Sequence, residues 1–280
     1  MILAEPVIVG ALYVLVTGFG LIIGSFLNVV IWRLPRGESL SVPGSACPNC
    51  HHPIRWWDNI PVVSWLVLRA KCRDCGEPIS ARYPAVELAT GLFFTGVLVW
   101  ALNGGIPKDN EVAFLVALAA FLYLAAISVA LTMIDLDTHT LPNKIVLPAY
   151  IVGAVLLGAS ALLAGDFDAL LRAAIGMAAM YVAYFAMFFA YPAGMGFGDV
   201  KLAGVLGLFL GWVGWGPLAV GAFAAFVLGG IFSITLLALR KVNRKSGIPF
   251  GPWMLAGAWV GIFAGGVIAS SYLALFGLNV

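Results

Sequence analysis

Eight long apolar runs leave this chain few ways to fold. They lie near 7–31, 86–103, 112–134, 144–164, 170–191, 200–214, 216–239 and 252–277. Crossing a hydrocarbon core of about 30 Å takes on the order of 20 helical residues. The pattern therefore predicts an all-α integral membrane protein, a bundle of about eight transmembrane helices. The sixth run is short and glycine-rich, so its ends are the least defined. Composition points the same way: 62% of the 280 residues are hydrophobic and only 10% are charged, whereas soluble domains are roughly half apolar and a quarter charged.

Positive residues between the runs set the orientation, because cytoplasmic loops of membrane proteins are enriched in lysine and arginine. With the N-terminus outside, the inner loops hold thirteen of the fifteen basic residues, among them Arg33, Arg36, Arg55, Arg73, Lys144 and Lys201 together with Arg240, Lys241, Arg244 and Lys245. Lys108 and Arg172 are left outside. Both termini are expected outside, with the loop at 32–85 in the cytoplasm. The start carries Glu5 in place of a basic n-region, and its apolar run is too long for a signal-peptide core, so the first span is expected to be retained. A net charge of +2 gives no reason to expect nucleic acid as a partner.

The sequence divides into a first span at 1–31, a polar loop domain at 32–85 and a membrane domain at 86–280. No internal repeat is evident. The loop holds all four cysteines, two of the three histidines and seven basic residues. Cys47 and Cys50 form one C-x2-C pair and Cys72 and Cys75 another, with 21 residues between them, close to the spacing of four-thiolate zinc sites. Such a site is closed and structural, and folds a segment that has little core of its own. A reducing cytoplasm argues against two disulfides. His51 and His52 follow Cys50 directly, but four thiolates already saturate the metal. Trp56, Trp57, Ile60, Pro61, Val62, Val63, Trp65 and Leu66 are apolar for a loop and are expected at the membrane surface or against the bundle.

Two short polar motifs interrupt the apolar sequence: Ile134-Asp135-Leu136-Asp137, followed by Pro142, and Gly196-Phe197-Gly198-Asp199-Val200-Lys201. A carboxyl at the end of a membrane run is costly and marks a functional position. Two of them suggest an aspartyl hydrolase, in which one carboxylate activates water while the other, protonated, donates to the scissile carbonyl oxygen. Gly194, Gly196 and Gly198 permit an extended backbone and close approach of a peptide. No G-x-S-x-G elbow, H-E-x-x-H helix or spare cysteine supports another hydrolytic class. Two other readings stay open on residues alone. Asp135 and Asp199 are helix caps or partners of Lys144 and Lys201, or they form the relay of an ion- or proton-coupled transporter. Glycines such as Gly204, Gly207, Gly211, Gly221 and Gly229 read as helix-packing positions.

Taken in order, these residues resemble the type IV prepilin peptidase family, also called prepilin leader peptidase/N-methyltransferase. The resemblance is carried by the segment Gly24–Pro35, the two C-x2-C pairs, the segment Arg82–Glu87, Asp135 with Leu141-Pro142, Gly196–Lys201, and Ile248-Pro249-Phe250-Gly251-Pro252. It implies an inner-membrane aspartyl peptidase with Asp135 and Asp199 catalytic, and it ranks Asp135 above Asp137. Gly196, Gly198 and Lys201 take substrate-binding or supporting places. The substrates it implies are prepilins or pseudopilins, cut after a glycine on the cytoplasmic side. The cysteine-containing form implies a second activity, N-methylation of the new N-terminus with S-adenosylmethionine. No glycine-rich nucleotide fingerprint is present, and Asn28 and Glu87 are the polar candidates for that donor's pocket. The segment between Pro35 and Cys47 is short for this family.

Overall fold

The computed structural model describes residues 6–192, 194–239 and 248–278. Arg240, Lys241, Arg244 and Lys245, counted above among the inner basic residues, lie outside the described residues. In chain order the helices are α1 (Pro6–Arg33), the short α2 (Val63–Val67), α3 (Arg82–Trp100, prolonged by a π turn over Ala101–Gly105), α4 (Glu111–Thr138), α5 (Asn143–Ala164), α6 (Phe167–Ala190), α7 (Phe197–Val213), α8 (Trp215–Ala238) and α9 (Gly251–Ala274). No strand occurs among the described residues, only isolated bridges between Ala46 and Pro53 and between Lys71 and Pro78.

Every expected apolar run is helical, and seven of the helices are long and apolar enough to cross a membrane. The remaining one, α7, is different in kind. Its 17 residues extend only about 25 Å, and from Asp199 to Trp212 every residue but Lys201 is buried. A helix apolar on all sides can be enclosed by other helices, and the glycines that blurred its ends in the sequence are what allow them close. Helix ends also overrun the apolar runs. Hydropathy falls at Ile134, yet α4 continues for another turn until His139, at φ 52°, donates its N–H to the Asp135 carbonyl.

By packing, the chain forms two compact units, one of residues up to 99 with 121–133, the other of 100–120 with 134 onward. In the first, α1 lies close against α3. A Cβ at Gly24 would stand 2.6 Å from the Glu87 Cα and one at Gly20 2.9 Å from the Gly91 Cα, so glycine is required for the approach. The hydroxyls of Thr17 and Thr95 meet at 2.7 Å across the same seam. In lipid, small residues and hydroxyl pairs of this kind take over the role that hydrophobic burial has in water.

In the second unit α6 packs along α7 and α8 along α9. Gly176 of α6 and Gly207 of α7 bring two backbones together, and Gly211 meets Arg172 and Ala173 one turn away. Gly257, Gly261 and Gly265, four residues apart on α9, meet Ala225, Gly221 and Pro217 of α8. The start of α4 is fixed by Asn110, whose Oδ1 accepts the Val112 and Ala113 amides at 3.0 and 3.1 Å and whose Nδ2 donates to the Leu163 carbonyl. Ser160 of α5 donates to the Ala113 carbonyl at 2.7 Å.

Candidate functional site

Asp135 stands in the last turn of α4 and Asp199 in the first turn of α7. Both are buried, with 4% and 8% of their surface exposed. Each is held by one glycine amide. The Asp135 Oδ2 accepts the N–H of Gly251, the first residue of α9, at 3.1 Å. The Asp199 Oδ2 accepts the N–H of Gly196 at 3.0 Å, while the Asp199 N–H donates to the Gly196 carbonyl. The two carboxyls interact electrostatically with each other. Gly196 is extended (φ −79°, ψ 148°), as the glycine pattern predicts, but the extension ends there. Gly198 already lies inside α7, because the Gly196–Asp199 capping interaction starts the helix at Phe197.

Two residues of the site carry more of its geometry than their sequence signals suggested. Leu141, in the turn before α5, faces both rims. A Cβ at Gly198 would lie 3.1 Å from its Cβ, and one at Gly251 3.1 Å from its Cδ2. Gly251 lies within the Ile248–Pro252 motif, and its link to Asp135 spans 116 positions, so no local pattern pairs them. Asp137 is exposed.

Among the described residues neither Lys144 nor Lys201 pairs with Asp135 or Asp199. Lys201 donates to the Asn143 Oδ1 at 2.9 Å and lies 4.7 Å above the Phe197 ring. Among the described residues Asp135 and Asp199 have no ion pair. Asp199 does cap its helix, so part of the capping alternative is realised together with the clustering.

The loop at 32–85 contains a second assembly. Cys47 and Cys72 each begin a tight turn. The Cys47 amide donates to the His52 carbonyl and the His51 amide to the Cys47 carbonyl; the Cys72 amide donates to the Glu77 carbonyl and the Gly76 amide to the Cys72 carbonyl. The bridges Ala46–Pro53 and Lys71–Pro78 close the two turns in the same way. This corrects the reading that the chain has no internal repeat: Cys47–Ile54 and Cys72–Ile79 are one knuckle used twice. The repeat is faint in the sequence because only the cysteines, the proline and the isoleucine recur.

The four Sγ atoms lie within 4.8 Å of one another, with Cys47 and Cys75 3.7 Å apart. Tetrahedral thiolates at about 2.3 Å from a zinc-sized ion stand about 3.8 Å apart, so the set fits a metal ion. All four are free thiols, and neither His51 nor His52 joins the cluster. The amides of Cys50 and Asn49 lower the Cys47 thiol to about 7. Although the His52 amide favours the Cys50 thiolate, burial and the other thiols push Cys50 up to about 12. Crowded thiols resist joint ionisation without a cation to share.

Ion pairs clamp the second knuckle onto the preceding segment. Arg73 donates to both oxygens of Asp58 at 2.8 and 2.6 Å, and Arg55 donates to Asp74 at 2.9 Å. Trp65 is anchored through its Nε1 to the Ile79 carbonyl, whereas Trp56, Ile60, Val63, Leu66 and Val67 are exposed. Asn28 and Glu87 are both engaged with main chain. Asn28 donates to the Tyr83 carbonyl at 3.1 Å, and Glu87 accepts the amide of Val62 at 2.7 Å. Val62 sits at φ 61°, where a β-branched residue is strained, and Glu87 holds it there. Beside α1, a groove of about 310 Å³ is lined by Ser25, Phe26, Val29, Ser45 and Asn59.

Seven membrane-length helices, two buried carboxyls each held by a glycine amide and a separate four-thiol knuckle pair place the chain in the class of multi-pass helical membrane proteins. The Bacterial Peptidase A24 N-terminal domain matches residues 19–101, and the Type IV leader peptidase family matches residues 121–234. The chain is 37% identical to the prepilin leader peptidase/N-methyltransferase of Aeromonas hydrophila, with 92% of each chain covered. Identity is 36% to that of Stutzerimonas stutzeri over 91% of each chain and 34% to that of Pseudomonas aeruginosa over 93% of each. The chain belongs to the prepilin leader peptidase/N-methyltransferase family. No solved structure matches it. The transporter alternative finds no support in these relationships.

Proposed function

We propose that this protein is an inner-membrane aspartic endopeptidase that removes the leader from type IV prepilins or pseudopilins and then N-methylates the new N-terminus. The observation that carries the peptidase reading is the pair Asp135 and Asp199, buried, interacting electrostatically and each fixed by a glycine amide. Two such carboxyls share one proton and titrate as a unit. The ionised one takes a proton from the attacking water while the other protonates the carbonyl oxygen, and the roles reverse as the amine leaves. Gly196 fixes Asp199, Gly198 leaves room for Leu141, and Lys201 ties α7 to α5 through Asn143.

In this reading the cysteines bind structural zinc. Residues 32–85 form a cytoplasmic loop domain, 86–280 the peptidase domain, and both termini lie outside. The exposed apolar side chains around Trp56 rest on the lipid surface. S-adenosylmethionine supplies an electrophilic methyl group when bound. The groove beside α1, at the lower end of small-molecule pocket sizes, offers Ser25, Ser45 and Asn59 to hold it, since Asn28 and Glu87 are engaged elsewhere.

The test is cleavage of a prepilin peptide by purified protein, read by mass spectrometry with and without S-adenosylmethionine. Wild type is expected to cut after the leader glycine and to add a methyl mass when the donor is present. Asp135→Asn and Asp199→Asn are expected to lose cleavage by at least about 10³-fold while keeping the wild-type melting temperature. Cleavage by folded Asp199→Asn at the wild-type rate would overturn the assignment.

A further inference from the structure

Tyr184 lies on the face of α6 that packs against α7. Along this antiparallel pair Gly211 faces Ala173, and Gly207 faces Gly176 and Met180. One turn farther along α6 comes Tyr184, and the matching positions on α7 are Ala203, Val200 and Asp199. The ring of Tyr184 lies 5.6 Å from that of Phe226 and 6.4 Å from that of Phe250, and those two rings are 5.4 Å apart. Phe250 directly precedes Gly251, whose amide holds Asp135. An aromatic wall therefore reaches from one aspartate to the support of the other.

Only Tyr184 in that wall carries a hydroxyl. The residue is 2% exposed, and its Oη has no hydrogen-bond partner among the described residues. Folded chains rarely leave a buried phenol in that condition without a use for it. The packing does not call for the oxygen, since phenylalanine fills the two neighbouring places. The hydroxyl also interacts electrostatically with Asp199, which places it on that carboxyl's side of the site.

We propose that Tyr184 is a third catalytic group of the peptidase, its hydroxyl donating a hydrogen bond to the water that Asp199 activates. The water donates one hydrogen to the Asp199 carboxylate and accepts the phenol's hydrogen on one lone pair. Its second lone pair is then aimed at the scissile carbonyl carbon. Tyr184 keeps its proton throughout, so proton exchange between the carboxyls is as described above. This inference rests on the peptidase reading.

The experiment is steady-state cleavage of a prepilin peptide by wild type, Tyr184→Phe and Asp199→Asn, with thermal unfolding measured on the same preparations. Tyr184→Phe is expected to lower kcat by about 10- to 100-fold with KM within about twofold. Its melting temperature should be equal to or above wild type, because no protein hydrogen bond is lost. A purely structural tyrosine would leave kcat untouched. Wild-type kcat for Tyr184→Phe beside an inactive Asp199→Asn overturns this inference alone, and activity in Asp199→Asn overturns the peptidase reading with it. As a second probe, 3,5-difluorotyrosine at position 184 alters O–H acidity with little change of shape. It should change kcat at unchanged melting temperature, and an unchanged kcat would overturn the proposal.

Discussion

Gly251 contributes to the site both an amide and the lack of a side chain. A Cβ there would lie 2.7 Å from the Asp135 Oδ2, too close for the carboxyl to stay where it is. Gly251→Ala is expected to lower kcat by about 100-fold with little change in expression or helicity, measured by peptide cleavage and circular dichroism. In the loop, His51 occupies at φ 58° the place that Gly76 occupies at φ 74° in the other knuckle. His51→Gly is expected to leave metal content unchanged and to stabilise the loop by about 0.5–1 kcal/mol, read as slower proteolysis between the cysteine pairs. Hydrogen bonds from Arg73 hold the Asp58 carboxyl below its ordinary pKa. A lowered folded pKa means that the stabilisation is complete above the unfolded value, near 3.9, and disappears as pH falls through the folded one. The stability difference between wild type and Asp58→Asn should be flat above about pH 5 and shrink below about pH 4.

At the scale of elements, the two knuckles have almost no apolar interior between them, and in the reading proposed above a metal shared by the four cysteines is what would make them a folded unit. Chelation is expected to release one metal per chain and open 45–80 to protease, while far-UV circular dichroism, dominated by the membrane helices, barely changes. Retention of a protease-resistant loop after complete metal removal would refute this. The helices themselves were legible because a span long enough for a bilayer needs no partner to declare itself. The Cys47–Cys75 cluster was legible because its spacing is local. The enclosure of α7 was not, since Gly204 and Gly207 advertise closeness without naming the partner. Nor was the Gly251–Asp135 link, which depends on chain segments far apart in sequence. The Gly196–Asp199 turn ended the extended stretch sooner than the glycines implied, because a carboxylate in a first turn favours starting the helix.

For the whole molecule, the basic residues predict topology more directly than the packing does. A cysteine placed beside Lys108 is expected to react with an impermeant thiol reagent added outside intact cells, and one beside Lys144 only after permeabilisation. The reverse pattern would put the site on the wrong side for a cytoplasmic leader. Among the described residues both aspartates are held by main-chain amides, from Gly196 and Gly251, and not by hydrogen bonds from side chains that a single codon change can remove. The setting of the pair is thus tied to the path of the chain. A compound that engaged both carboxyls through those same amides would give a cell few point mutations by which to escape it, and resistance would have to arise in access routes or in the substrate.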